Sequence, residues 1–155
     1  MTTIQLNPTA KRTLDVLPVR SFTDTVVAGA LATDRCLSMG FTARASREVG
    51  IAAAELASNI VRHAGQGELE MDVDGDRAVL TATDHGPGID DPRAALRDHF
   101  SRGRLRESPD EPLLSLGCGL GAVKRLMSTL EIEQPPGGGT VVRATKFREP
   151  NLTWW

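Results

Sequence analysis

Glu55 and Asn59 form an acid–amide pair whose spacing could support chemistry. They lie four residues apart within residues 42–64, TARASREVGIAAAELASNIVRHA, so in a helix their side chains are neighbours one turn apart. A carboxylate can act as a general base, and an amide oxygen can bind a hard cation that prefers oxygen ligands. The same pair is also typical of a solvated helix face, so its meaning depends on the rest of the chain.

Two glycine clusters could bring a ligand close to the main chain. Gly86 and Gly88 follow Asp84 at the end of a predicted strand, where glycine allows tight turns and close approach. An Asp-x-Gly-x-Gly segment is also a common turn. The second cluster precedes a predicted helix, whose first N–H groups attract anions, and it comprises Gly117, Gly119 and Gly121. It is not a dinucleotide fingerprint, because a loop rather than a strand precedes it.

Residues 42–64 are predicted to form one helix that positions the acid–amide pair. Thr42 is a suitable N-cap, and Gly65 and Gly67 end the helix. Gly50 lies in its middle, at a cost of about 1 kcal/mol relative to Ala. The apolar face recurs with a helical period and comprises Val49, Ala53, Leu56, Ile60 and Ala64.

The remaining elements predict an α/β fold in a single domain, residues 14–148, with terminal arms 1–13 and 149–155. Residues 14–20 read as an edge strand because of Pro18. A helix should follow from 21–24 to Met39, with Val27, Ala30, Leu31 and Leu37 facing inward. Strands are predicted at 68–73, 77–84, 131–134 and 140–147, a short helix at 93–100, a long charged lid at 101–115, and a helix from Gly121 to Leu130. Together they predict a two-layer α/β sandwich with a mixed, mainly antiparallel sheet.

The amino-acid composition of the chain argues against several classes of function. The 155 residues carry a net charge of −2, which argues against a basic nucleic-acid surface. No apolar run is long enough for a membrane span, and the N-terminus does not resemble a secretory signal. Cys36 and Cys118 lack metal-ligand spacing, so a cytoplasmic protein with reduced thiols is expected.

Four motifs occur in the order and spacing of the GHKL ATPase superfamily. They are Glu55-Leu-Ala-Ser-Asn59, Asp84-His-Gly-Pro-Gly88, Gly117-Cys-Gly-Leu-Gly121 and Gly139-Thr140. Within that superfamily the chain resembles the bacterial anti-sigma-factor serine/threonine kinases of the RsbW and RsbT kind, most of all the RsbT-like switch kinases. The charged lid is longer than the resemblance implies.

The resemblance implies a Bergerat-type fold that binds ATP with Mg²⁺. It implies that Asn59 holds the metal, Glu55 activates the acceptor hydroxyl, and Asp84 contacts the adenine amine with support from Thr140. Gly86 and Gly88 would shape the adenine pocket, and the second glycine cluster would close on the phosphates. The implied partners are a STAS-domain antagonist, phosphorylated on Ser or Thr, and a sigma factor or PP2C-type phosphatase.

Other functions share these residues. A nucleotide-dependent protein that sequesters a sigma factor or regulator would need the same pocket and little phosphoryl transfer. A plain ATPase, with water as acceptor, would use every residue named above. A homodimer through the first helix or the edge strand is compatible with the sequence.

Overall fold

A five-stranded sheet carries helices on one face in the computed structural model, which describes residues 11–97, 100–101, 104–105 and 119–150. The elements in chain order are β1 (Arg12–Val19), α1 (Phe22–Ser38), α2 (Ala43–Ala64), β2 (Gly67–Asp74), β3 (Arg77–Asp84), α3 (Pro92–Ala95), β4 (Phe100–Ser101), β5 (Arg104–Leu105), α4 (Leu120–Leu126), β6 (Thr129–Glu133) and β7 (Thr140–Phe147). The sheet order is β1-β2-β3-β7-β6. The predicted two-layer architecture is confirmed, but the sheet expected to be mixed is antiparallel at every described pairing.

The strands that carry site residues begin and end where the sequence predicts. β3 and β7 occupy the predicted ranges and pair along their full length. The turn before β3 is held by Asp74, whose Oδ1 accepts the N–H groups of Asp76 at 2.7 Å and Arg77 at 2.9 Å. This side-chain bonding is why an Asp-Gly pair signals a turn so strongly.

α1 packs against α2 through small residues, which corrects its predicted inward face. The buried positions of α1 are Ala28, Ala32 and Cys36. Val27 is 44% exposed and Leu37 50% exposed, Ala30 is exposed, and only Leu31 packs partly against the core. The prediction was wrong because it placed the larger side chains inward, whereas the close contact between the helices favours small ones.

Gly29 and Gly50 lie at the point of closest approach between α1 and α2. A Cβ on Gly50 would lie 2.9 Å from the Gly29 carbonyl oxygen and would overlap Thr33 Oγ1. Moving Thr33 aside would break the hydrogen bond that its hydroxyl donates to the Gly29 carbonyl oxygen at 2.8 Å. The mid-helix glycine is therefore required by packing, despite its cost to the helix.

Gly50→Ala is expected to destabilise the protein although Ala is the better helix former. Overpacking of this kind costs about 1–3 kcal/mol, and the gain in helix propensity of about 1 kcal/mol offsets only part of it. Urea unfolding should show the loss. Gly75→Ala is the matched control, because nothing lies within 4 Å of a Cβ there. Equal stability of the two variants would contradict the packing argument.

Two predicted helices are shorter than expected. α3 ends at Ala95, and Phe100 begins β4, so part of the expected lid is strand. α4 ends at Leu126 rather than Leu130, because the Ser128 N–H donates to the Thr145 carbonyl at 2.8 Å and draws the chain onto β7. Residues 1–10, 98–99, 102–103, 106–118 and 151–155 lie outside the described residues, and they include most of the predicted terminal arms and most of the lid. The predicted domain boundary at residue 14 is two residues late, because β1 begins at Arg12.

Lys146 ties β7 to both α2 and α4. Its Nζ donates to Glu48 Oε2 at 2.6 Å and to the Leu126 carbonyl at 2.7 Å. The hydrogen bond from Lys146 is the main reason that the pKa of Glu48 lies below its ordinary value. This contact fixes the C-terminal end of α4, whose other end adjoins the candidate site described next.

Candidate nucleotide-binding site

α2 carries Glu55 and Asn59 on its packed side. Its N-cap is Thr42, whose side chain accepts from the Ala45 N–H at 3.1 Å, as predicted. Glu55 is 1% exposed and Asn59 is half-buried. The alternative of a solvated helix face is therefore wrong for Glu55.

Asp84 lies at the last position of β3, between two other strands. Its register partners are Gly67 on β2 and Thr140 on β7. Asp84 Oδ1 accepts the Gly86 N–H at 2.9 Å, so the turn that follows β3 orients the carboxylate. Thr140, predicted to support Asp84, is 4% exposed and enters β7 directly beside it.

The two glycines after Asp84 face different neighbours. A Cβ on Gly86 would lie 2.7 Å from Ala64 Cβ, at the end of α2. A Cβ on Gly88 would lie 2.5 Å from Gln134 Oε1, and its φ of +85° is one that side chains rarely adopt. Both positions therefore require glycine, and the loop is held against α2 on one side and the β6–β7 connection on the other.

Five of the predicted site residues meet in one cavity of about 290 Å³. They line it together with apolar side chains from α2, β3 and β7, and they are Asn59, Asp84, Gly88, Gly119 and Thr140. Glu55, Gly86 and Gly121 are not among the lining residues, although Glu55 lies one helical turn from Asn59. Gly117 lies outside the described residues. A mostly apolar cavity with a few convergent polar groups is the usual form of a cofactor site.

Arg62 also lines this cavity, a role that the sequence analysis did not assign. Its Nη2 donates to Asn59 Oδ1 at 2.9 Å. The three-residue separation of Asn59 and Arg62 on a helix could have indicated the contact. A cationic side chain is thus present in a cavity that also contains the carboxylates of Asp84, Asp90 and Asp91.

The site fits Mg²⁺ only together with phosphates. The described residues contain no group of three or more His, Cys, Asp or Glu side chains that could hold a metal. Asn59 Oδ1 could offer one oxygen ligand, but here it accepts a hydrogen bond from Arg62, which would have to turn aside for a cation to bind. Mg²⁺ commonly takes one or two protein ligands and completes its shell with water and substrate phosphates, so this donor set suits a nucleotide-bound ion.

The family comparison identifies the fold as that of an ATPase domain. Residues 20–146 match the family described as "Histidine kinase-like ATPase domain", and the chain belongs to this family. The predicted GHKL-type resemblance is thereby confirmed.

Curated relatives cover most of the chain. The "Serine/threonine-protein kinase RsbT" of Bacillus subtilis (strain 168) is 33% identical over 128 residues, which are 80% of this chain and 89% of that protein. The "Anti-sigma F factor" of Thermoanaerobacter sp. (strain X514) is 28% identical over 132 residues, 82% and 84% of the two chains. Among solved structures, the "Mycobacterial sensor histidine kinase MprB" aligns with 89% of this chain and 99% of its own, at 19% identity and a TM-score of 0.47.

None of the helices within residues 11–97 and 119–150 combines the length and the apolar character that a membrane span needs.

Proposed function

We propose that this protein binds ATP with Mg²⁺ and transfers the γ-phosphate to a serine or threonine of another protein. The main support is that one cavity is lined by Asn59, Asp84 and Thr140, which come from three different secondary-structure elements. In this proposal Asp84 accepts a hydrogen bond from the adenine amine, Asn59 holds the metal, and Glu55 is the general base. Phosphoryl transfer depends mainly on positioning and charge neutralisation, and this arrangement could provide both.

The acceptor in this proposal is a STAS-domain antagonist in the bacterial cytoplasm. Phosphorylation would make the protein exchange that antagonist for a sigma factor or a PP2C-type phosphatase, as part of stress signalling. The names of the relatives support a protein kinase with a sigma-factor partner, since one is a serine/threonine kinase and another an anti-sigma factor.

A second candidate is a nucleotide-dependent protein that sequesters a sigma factor with little phosphoryl transfer. The anti-sigma factor relative favours it, as does the position of Glu55, which is not among the residues lining the cavity. Both candidates require ATP binding, and only the first requires a phosphorylated partner.

Calorimetry with ATP and Mg²⁺, followed by a transfer assay, tests the proposal. The wild-type protein should bind ATP, and radiolabelled phosphate should then appear on a STAS-domain partner. Binding without transfer would favour the sequestering function. Absence of binding in the wild type would overturn both candidates.

A further inference from the structure

Gln134 joins two segments that are 45 residues apart in sequence. It follows β6, and its side-chain amide bonds both main-chain groups of Ile89. Gln134 Oε1 accepts the Ile89 N–H at 2.9 Å, and Gln134 Nε2 donates to the Ile89 carbonyl at 3.0 Å. One side chain thus replaces the pair of hydrogen bonds that a neighbouring strand would supply.

A second contact holds the same loop nearer to Asp84. The Gly139 N–H donates to the Gly86 carbonyl at 3.0 Å. Residues 86–89 are therefore fixed at both ends to the connection between β6 and β7. The contact with Gln134 also explains why residue 88 is a glycine, because a Cβ at this position would overlap Gln134 Oε1.

The fixed loop forms one wall of the cavity. Gly88 and Ile89 both line it, beside Asp84, whereas Gln134 does not. If the Gln134 contact were lost, the loop would still be tied at Gly86, and Ile89 would still pack partly against the core, but its own main-chain groups would lose these two hydrogen bonds. The Gly88–Ile89 wall would then be free to move away from Asp84.

We propose that Gln134 is a positioning residue for nucleotide binding, which acts by clamping Ile89 so that the Gly88–Ile89 wall stays against the base of the nucleotide. This inference rests on the proposed ATP-binding function and adds a residue to it. Gln134 would act at the base end of the cavity through Ile89, and it is not itself among the residues that line the cavity. Its loss should weaken nucleotide binding and leave the rate of the bound complex unchanged.

The test compares wild type, Gln134→Ala and Gln134→Glu by calorimetry with ADP, by melting temperature and by amide exchange at Ile89. Loss of two hydrogen bonds should raise the Kd for ADP about tenfold. The Ile89 amide should exchange about tenfold faster in Gln134→Ala. Gln134→Glu keeps the hydrogen-bond acceptor and loses the donor, so this variant should also bind ADP more weakly than the wild type. If Gln134→Ala does not fold, Gln134→Glu is compared with the wild type in its place.

Gln66→Ala is the matched control, because Gln66 is likewise exposed and does not line the cavity. It should bind ADP like the wild type. A Kd for Gln134→Ala within about twofold of wild type would overturn the clamp and leave the ATP-binding proposal intact. A side chain with only a structural role would lower the melting temperature and leave the Kd of the folded protein unchanged. No ADP binding by the wild type would instead refute the proposed function and the clamp with it.

Discussion

Glu55→Gln is expected to abolish most phosphoryl transfer and to leave ATP binding intact. A general base contributes about 10²–10⁴-fold to rate, and glutamine cannot take the proton from the acceptor hydroxyl. Glutamine matches glutamate in size, so the buried position should tolerate it better than alanine. The measurement is transfer of radiolabelled phosphate from ATP to the proposed STAS-domain acceptor, with calorimetry of ATP binding in parallel.

The position of Glu55 makes this test informative. Its side chain is buried and does not line the cavity, so it must become accessible to an acceptor hydroxyl if it is to act as a base. Glu70→Gln, on the opposite face of the sheet from the helices, is a suitable control because it removes the same charge far from α2. Unchanged phosphoryl transfer by Glu55→Gln would mean that Glu55 is not the general base and has only a structural role in α2.

Asp84→Asn is expected to lose ATP affinity by about 100-fold, since a hydrogen bond to a charged group is worth about 1.5–3 kcal/mol. Asparagine can still accept the Gly86 N–H through Oδ1, so the turn after β3 should keep its shape. Its amide nitrogen would then face the adenine amine, and two donors would oppose each other. Calorimetry with ATP and Mg²⁺ measures the loss.

Asp90→Asn is the matched control, because Asp90 lines the same cavity and carries the same charge. It should change affinity far less than Asp84→Asn, since no contact with the base is assigned to it. The same geometry predicts weaker discrimination against GTP in Asp84→Asn, because an amide N–H can donate to the guanine carbonyl. Equal ATP affinity in wild type and Asp84→Asn would refute the adenine contact.

Local signals predicted the strands well. The Asp-Gly turn lies directly before β3, and the predicted ranges of β3 and β7 match the structure. The cavity also gathers Asn59, Asp84 and Thr140, whose roles stay a prediction. The strand predictions succeeded because each depends on a short stretch of chain. The inward face of α1 was mispredicted because packing against Gly50 decides it, and Gly50 belongs to another helix.

Contacts between segments that are far apart in sequence could not be predicted from the sequence. Nothing near Gln134 indicates its bonds to Ile89, and nothing near Lys146 indicates Glu48 and Leu126 as partners. Leu130 was assigned to a helix because its apolar spacing continues that of α4, but the strand pairing of β6 with β7 prevails there. Such contacts fix how the predicted residues are positioned, which the motifs alone do not specify.

The pairing of Asp84 with Thr140 has a consequence for how the chain can change in length. Because neighbouring residues of a strand point to opposite faces, one residue inserted or deleted within β7 would bring Val141 or Gly139 opposite Asp84 in place of Thr140. The turn before β7 has more room, since a Cβ on Gly137 would meet nothing within 4 Å. Insertions in this turn are thus compatible with the pairing of Asp84 and Thr140 at the candidate site, whereas insertions three residues later, within β7, are not.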